Sequence, residues 1–164
     1  MADGELLPAE RRVLERLGHL PLDFRAMWAV SNLFRTSAAI RRHMESKVLA
    51  DDRLSWTSFV ALWVLWVWGE MESRDLAAAV GISRPTSTGV VTTLERRGFV
   101  RRRRNAKDGR MVRVSLTQRG RKKIEKLFPR FNSEESAVTS DLTPGEQDSM
   151  AGMLRSMLKT AEGV

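Results

Sequence analysis

Hydrophobic residues recur at spacings of three and four along much of this chain, a periodicity typical of amphipathic helices. The longest such segment opens after Pro21 and continues to about residue 50. A helix of about 28 residues is about 42 Å long, because each residue adds about 1.5 Å. A lobe of this size is too small to cover such a helix, so we predict that it packs partly against a second subunit. Its apolar positions are Phe24, Met27, Trp28, Val30, Leu33, Phe34, Ile40, Met44 and Val48.

Two further helices are predicted before and after this long segment. A short one covers residues 9–17, with Gly18 as its stop. The other covers residues 56–68 and follows Ser55, a good N-cap. This helix is apolar on almost every side, which indicates that it is buried. Its four tryptophans could form an aromatic cage for a ligand, but tryptophans of this kind mostly pack in cores, and we favour that interpretation.

The C-terminal region predicts two more helices. Thr117 is a good N-cap for the first, and Pro129 is expected to bend it. Thr143 and Glu146 form the capping-box pattern that opens the second. The apolar stripe of this last helix suits either a core or a dimer interface, because methionine packs adaptably in both. The stripe consists of Met150, Met153, Leu154, Met157 and Leu158.

A pair of short helices separated by a glycine turn occupies the middle of the chain. Ser73 is predicted to cap the first, residues 74–80, and Gly81 supplies a tight turn after it. Ser83 can cap the second, and Pro85 suits its first turn because an N–H group there would be unpaired in any case. A helix, a short turn with glycine and a second helix in this order predict a helix-turn-helix motif.

The second helix of this motif has an outer face of short, mostly hydroxyl-bearing side chains. Its inward positions are Ser87, Val90, Val91 and Leu94, and its outer positions are Arg84, Pro85, Thr88, Gly89 and Thr92, with Thr86 at the flank. Such a face can approach DNA closely: Arg84 can pair with guanine, and threonine methyls can contact thymine methyls. Gly89 costs about 1 kcal/mol relative to alanine, and close approach of the backbone to DNA is one reason to accept that cost.

An arginine-rich β-hairpin is predicted directly after the motif. Phe99 and Val100 begin one strand, and residues 111–116 alternate between apolar and polar positions in its partner. Arg110 is our choice for insertion into a narrow minor groove, and pairing with Asp108 would fix its direction. For the run at positions 101–104 we favour attraction to phosphates of any sequence. The DNA-contacting residues predicted in this hairpin are Arg103, Arg104, Lys107, Asp108 and Arg110.

Charge and hydropathy favour a soluble protein with a polyanionic partner. The formal net charge is +8, and the excess of basic residues lies between Arg96 and Lys126. Double-stranded DNA is the leading partner for such a cluster, ahead of an anionic membrane and of a merely solvated surface. The most hydrophobic run, about ten residues, is too short to span a bilayer. The N-terminus lacks the pattern of a signal peptide, so we predict a cytoplasmic protein with no membrane contact.

The residues that carry enzymatic or metal chemistry are scarce. The chain has no cysteine, which excludes disulfides, thiolate catalysis and Cys-ligated zinc. Its two histidines are far apart in sequence, so no metal site is expected, and no cofactor is predicted either. The carboxylate pairs at positions 51–52 and 134–135 occur at breaks, where they more typically cap helices. No nucleophile has an evident general base beside it, so we predict no catalytic residues and no enzyme.

The order of the elements resembles the MarR family of bacterial transcription regulators. The segments that carry the resemblance are the run Leu76 to Gly81, Ser83-Arg84, Leu94-Glu95 through Gly98, Asp108-x-Arg110 and Leu116-Thr117-x-x-Gly120. The match is good from about residue 54 to residue 128, and the flanking helices agree in pattern. The family cysteine that senses peroxide is absent here, so that mechanism does not apply.

The resemblance implies a mainly α fold with a small β-hairpin wing. It divides the chain into an N-terminal arm and short helix (1–20), a long dimerisation helix (21–53), a winged helix-turn-helix DNA-binding domain (54–120) and C-terminal dimerisation helices (121–164). It implies a homodimer in which the N- and C-terminal helices of two chains interlock. Each subunit would read half of a palindrome, with Arg110 in the minor groove and oriented by Asp108.

The resemblance also implies a function, a homodimeric repressor released from its operator by a small aromatic or anionic ligand. As candidate ligand contacts we name Trp28, Asn32, His43 and Trp56. A constitutive or architectural DNA-binding protein without an effector is the first alternative. A winged helix that contacts protein or RNA is the second, and it accounts less well for the hydroxyl-rich face and the arginine hairpin.

Overall fold

The computed structural model describes residues 6–104 and 112–163. Seven α-helices lie within these ranges, together with three short strands. The helices are α1 (Pro8–Leu17), α2 (Phe24–Met44), α3 (Trp56–Trp68), α4 (Ser73–Val80), α5 (Arg84–Arg96), α6 (Gln118–Val138) and α7 (Pro144–Glu162); the strands are β1 (Met71–Glu72), β2 (Val100–Arg104) and β3 (Val112–Leu116). The prediction of a mainly α fold with a small β-hairpin is therefore confirmed.

The chain divides into two compact units, one up to Arg42 and the other from His43 onward. In the first unit, α1 is anchored by the carboxylate of Glu10, which is only 3% exposed. This carboxylate accepts hydrogen bonds from the Leu7 backbone at 2.7 Å and from the Asn32 side chain at 2.7 Å. The bond from Asn32 therefore joins α1 to α2 within the unit.

The long helix predicted between Pro21 and residue 50 is confirmed. It begins at Phe24, and after Met44 it continues into a wider π-helical turn, Glu45–Leu49. Val48 and Leu49 in this turn are buried in the second unit. Its apolar positions in the first unit are covered unevenly, because Trp28 is buried while Phe34 is 70% exposed.

Helix α3 forms the centre of the second unit, in contact with α4, α5 and α6. Ser55 caps it by accepting a hydrogen bond from the Ser58 backbone, as predicted. Five apolar residues along the helix are buried: Phe59, Ala61, Leu62, Val64 and Leu65. The helix is buried over most of its length, as predicted, but its last turn is not, because Val67 is 51% and Trp68 is 59% exposed.

The three strands form one antiparallel sheet in the order β1-β3-β2. The predicted hairpin pairs Val100 with Leu116 at its base and Arg104 with Val112 at its far end. Strand β1 was not predicted, because its two residues are too few to show the alternation that marks a strand. Ser73 was predicted as an N-cap, but it is the first residue of α4. Glu72, which ends β1, is the N-cap.

Helices α6 and α7 begin at the predicted caps. Thr117 accepts a hydrogen bond from the Gly120 backbone at 3.0 Å, and Thr143 and Glu146 form the capping box of α7. Gly120 is held against the sheet so closely that a Cβ atom there would lie 1.9 Å from the Phe99 carbonyl oxygen. Helix α6 continues through Pro129, and the bend expected there stays a prediction.

Candidate nucleic-acid interface

The helix-turn-helix motif is present as predicted. Helix α4 ends at Gly81, whose φ of 73° lies in the left-handed region that favours glycine. Ser83 then caps α5 by accepting a hydrogen bond from the Thr86 backbone at 3.3 Å. Pro85 lies in the first turn of α5. These local contacts position the start of α5 at the surface of the second unit.

The inner face of α5 is fixed by burial. Ser87, Val91 and Leu94 are each at most 2% exposed, and the helix contacts α3 and α4. Val90 is half-buried. Because three of the four inward residues are buried, the opposite face keeps a fixed orientation toward solvent.

All six residues predicted to contact DNA from α5 are exposed: Arg84, Pro85, Thr86, Thr88, Gly89 and Thr92. The Thr88 hydroxyl donates a hydrogen bond to the Arg84 carbonyl at 3.0 Å, and the Thr86 and Ser83 hydroxyls pair at 2.8 Å. Apart from its chain neighbours and the backbone of its own helix, no heavy atom of the described residues lies within 4 Å of the position of a Cβ on Gly89. The face is therefore short, uncharged after Arg84 and open to a large partner.

Two of the arginines on wing strand β2 are engaged by side chains of the protein itself, which the sequence did not indicate. The Arg102 side chain donates to Glu95 at 2.8 and 2.5 Å, and the Arg102 backbone N–H donates to the same carboxylate at 3.0 Å. The Arg102 guanidinium lowers the pKa of Glu95 below its ordinary value of 4.5. Arg101 donates to the Ser115 hydroxyl at 3.1 Å. These two arginines join the wing to α5 and β3, a role that sequence reasoning missed.

Arg103 is exposed on β2 and lies opposite Arg113 in the sheet. For Arg104 the structure describes the backbone alone. Lys107, Asp108 and Arg110 lie outside the described residues, so the pairing of Asp108 with Arg110 stays a prediction. The Leu94-Glu95 segment singled out in the sequence is the signal that could have identified the contact between Glu95 and the wing.

Two of the predicted ligand contacts belong to the first unit. Trp28 is 7% exposed and packs against Phe24 with the rings tilted by 37° and their centroids 5.8 Å apart. Its indole Nε1 is buried and has no hydrogen-bond partner among the described residues. Asn32, in contrast, is engaged by its hydrogen bond to Glu10.

The other two predicted ligand contacts belong to the second unit. His43 Nε2 lies 2.6 Å from a Glu134 carboxylate oxygen, an ion pair when the imidazole is protonated. The Trp56 ring packs against Phe131 at 5.9 Å and Phe59 at 6.4 Å. Both side chains are therefore already engaged by neighbours in their own unit.

The described residues offer neither a metal site nor a membrane-spanning helix. Residues 6–104 and 112–163 contain no cluster of three or more His, Asp or Glu side chains that could hold a metal ion. No helix in those ranges is both long enough and apolar enough to cross a membrane. Neither result adds a site to the exposed face of α5.

Comparison with known proteins identifies the family. The model of the MarR family matches residues 54–112, which include the helix-turn-helix motif and most of the wing. The uncharacterized HTH-type transcriptional regulator YwaE of Bacillus subtilis strain 168 is 38% identical over 154 residues, covering 92% of this chain and 90% of the relative. The chain belongs to the MarR family.

Solved structures of MarR-type regulators share the fold. The S. aureus MepR–DNA complex is similar with a TM-score of 0.73 and 26% identity, over 80% of this chain and 97% of MepR. Bordetella bronchiseptica BpsR, described with regulation of its DNA binding by 6-hydroxynicotinic acid, has a TM-score of 0.72 and 26% identity, over 79% and 98% of the two chains. As a MarR family member, the chain is a DNA-binding transcriptional regulator, and MarR regulators are in general not enzymes.

Proposed function

We propose that the protein is a homodimeric, sequence-specific repressor whose operator is pseudo-palindromic and whose DNA affinity is lowered by a small aromatic or anionic ligand. The observation that carries the DNA-binding part is the outer face of α5, where all six predicted contact residues are exposed. A dimer that occupies two successive major grooves excludes other proteins from that stretch, which favours repression. Such half-sites would be about 34 Å apart.

We assign recognition of the DNA bases to the outer face of α5. Within residues 6–104 and 112–163, the Arg84 guanidinium has no hydrogen bond or ion pair, so its donors are available for guanine. A bidentate pair of this kind contributes about 1–3 kcal/mol of discrimination. Thr88 and Thr92 lie one turn apart on the same exposed face, where their methyl groups can distinguish thymine.

We assign to the wing the contacts with the DNA backbone and the minor groove beside the bases that α5 contacts. Arg103 is exposed on β2 and suits a phosphate contact, together with Arg104 and Lys107. For Arg110 we keep the role of minor-groove insertion, with Asp108 as its orienting partner, on the strength of the Asp-x-Arg pattern. The contacts of Glu95 with Arg102 support this assignment, because they fix strand β2 of the wing to α5.

The homodimer is inferred from the uncovered apolar stripe of α7, which has no buried residue. Met150, Met153, Leu154 and Leu158 are 38%, 62%, 38% and 56% exposed. Burial of apolar surface contributes about 25 cal/mol per Å², so a stripe of this length favours association. A second copy of the chain supplies a matching stripe under two-fold symmetry.

Ligand control of DNA binding is supported by a solved relative and by one buried side chain. BpsR, whose DNA binding is regulated by 6-hydroxynicotinic acid, shares this fold at 26% identity. In the present chain, the buried Nε1 of Trp28 has no hydrogen-bond partner in the part of the chain that the structure describes, and this donor suits the polar edge of an aromatic acid. The candidate contacts remain Trp28, Asn32, His43 and Trp56.

The test begins with duplexes selected from random DNA by the purified protein. We expect Thr88→Ala to relax sequence preference, since affinity for the selected duplex should fall by about 1 kcal/mol while affinity for random duplex stays unchanged. Arg110→Ala should weaken binding to the selected duplex sharply at fixed salt. Fluorescence anisotropy measures both, and Thr160→Ala on α7 is the control.

Equal losses on selected and random duplexes would contradict base reading by Thr88. An unchanged dissociation constant for Arg110→Ala would remove Arg110 from the interface. A thermal-shift screen of aromatic acids tests the effector. A compound that both stabilises the protein and releases the duplex supports ligand control, whereas failure of every binder to affect DNA affinity favours the constitutive alternative.

A further inference from the structure

A groove on the second unit is lined by basic side chains that the proposed DNA interface does not use. We call it the cationic groove, and it is lined by Arg53, Arg97, Arg119, Lys122, Lys123 and Lys126 together with Asp51, Asp52 and Phe99. Six cationic side chains face two carboxylates, which leaves a formal charge of +4. A concave surface with this excess attracts anions strongly, because its walls focus the field.

Both carboxylates of the groove are already engaged. Asp52 is paired with Lys123 at 2.5 Å, and Asp51 is paired with Arg130, outside the lining, at 3.1 Å. The side chains of Arg53, Lys122 and Lys126 have no hydrogen bond or ion pair among residues 6–104 and 112–163. The excess positive charge is therefore carried by groups whose donors remain open to a ligand.

Two arginines of the groove are held in place without any carboxylate. The guanidinium carbons of Arg97 and Arg119 lie over the Phe99 ring, 4.9 and 5.4 Å from its centroid. Arg97 also donates to the backbone carbonyls of Asp52 at 2.6 Å and Arg53 at 2.8 Å. Cation–π contacts and carbonyl bonds orient a guanidinium but leave its full charge in place. The site is thus partly organised before a ligand arrives.

One face of α6 supplies four of these cations, at positions 119, 122, 123 and 126. Side chains at spacings of three and four are neighbours on a helix, so like charges there repel one another. Only Lys123 has an acidic partner among the described residues. A bound anion would relieve the repulsion among the other three.

The groove lies at the far end of α5 from Arg84 and at the far end of the hairpin from the wing tip. Helix α5 begins at Arg84, whereas Arg97 follows its last residue, about 20 Å away along the axis. Phe99 and Arg119 flank the base of the hairpin, which pairs Val100 with Leu116, at the opposite end from the wing tip. A duplex against the start of α5 does not account for the charge in the groove.

We propose that the cationic groove binds a small polyanion that carries two or more phosphate groups. Its volume of about 450 Å³ matches a small ligand rather than a duplex. Guanidinium and ammonium groups together suit phosphate oxygens, which accept charge-assisted hydrogen bonds from both. This inference goes beyond the proposed function and does not rest on it.

Calorimetric titration of the full chain with inorganic tripolyphosphate, at constant ionic strength set by KCl, tests the proposal. We expect saturable binding at one site per chain. The double variant Lys122→Gln/Lys126→Gln should raise the dissociation constant for tripolyphosphate about tenfold or more, because two charged contacts are lost. The control Arg121→Gln/Lys159→Gln removes the same charge from exposed positions outside the groove and should leave the constant nearly unchanged.

Absence of saturation, or equal weakening in the two double variants, would overturn the proposal in favour of general attraction by net charge. Loss of affinity for the selected duplex in Lys122→Gln/Lys126→Gln, without saturable tripolyphosphate binding, would overturn it in favour of DNA. A protein that binds tripolyphosphate in the groove but selects no duplex would leave this proposal standing and refute the proposed function, so the two failures are distinguishable.

Discussion

At the scale of single residues, two glycines differ in whether the packing around them leaves space for a side chain. Gly120 lies where a Cβ would come within 1.9 Å of the Phe99 carbonyl oxygen. Gly89 is the opposite case, because among the described residues only its own helix comes within 4 Å of its Cβ position. The first glycine is required by packing, and the second has no packing reason in the free protein.

We expect Gly120→Ala to lower the free energy of unfolding by about 1–3 kcal/mol, because the start of α6 must move away from the Phe99 backbone. Urea denaturation followed by circular dichroism measures the change. Gly145→Ala is the matched control, since Gly145 also lies in the first turn of a helix but has open space at its Cβ position among the described residues. Equal stabilities of the two variants would show that the close approach at Gly120 is relieved at no cost.

For Gly89→Ala we expect the reverse effect on stability, a gain of about 0.5–1 kcal/mol, because alanine is the better helix former and meets no clash. Affinity for the selected duplex should nevertheless fall, since the added methyl stands on the face proposed to approach DNA. Denaturation and anisotropy on the same preparation measure the two quantities. A variant that is more stable and binds equally well would show that the backbone at Gly89 does not approach DNA closely.

At the scale of elements, the contact between Glu95 and Arg102 joins helix α5 to strand β2 of the wing. Glu95 accepts three hydrogen bonds from this one residue, two from its side chain and one from its backbone. These bonds favour the ionised carboxylate, which is why the pKa of Glu95 lies below its ordinary value of 4.5. A change at Glu95 therefore acts on the orientation of β2 relative to α5.

The lowered pKa of Glu95 makes a pH-dependent contribution to stability. A carboxyl with a lower pKa in the folded state contributes stability above its unfolded pKa, and that contribution is lost as pH falls through the folded pKa. Glu95→Gln should therefore be less stable than the parent near neutral pH, and the difference should shrink below about pH 4.5. Urea denaturation across this range measures it. Glu125→Gln, at an exposed carboxylate of α6, is the control, and a difference independent of pH would contradict this role for Glu95.

At the scale of the whole molecule, association is the property that a single chain leaves open. Helix α7 presents its apolar stripe to solvent, and Phe34 on α2 is 70% exposed. Monomeric soluble proteins rarely expose so many large apolar side chains along one helix. A second subunit is the partner we propose for them.

Met153→Glu should convert the protein to a monomer at micromolar concentration, because a carboxylate buried in an apolar interface costs more than one methionine contributes. Lys159→Gln, on the opposite face of α7, changes the net charge by the same amount and should leave the dimer intact. Sedimentation velocity distinguishes the two states. A parent protein that is itself monomeric at that concentration would refute the proposed symmetry.

The sequence by itself determined the local structure, because helix periodicity, N-caps and the left-handed glycine are properties of neighbouring residues. Ser55, Ser83, Thr117 and Thr143 all cap the helices predicted for them. It also determined the family, through motifs whose order along the chain is specific. The exposed face of α5 followed from the same periodicity.

Only the tertiary structure decided contacts between residues distant in sequence. Strand β1 exists because β3 offers it an edge, and its two residues carry no signal of their own. The engagement of Arg102 by Glu95, the exposure of Trp68 and the gathering of Arg53, Arg97 and Arg119 into one groove depend on how elements pack. Charge and periodicity state which residues are polar, but packing decides which of them face one another.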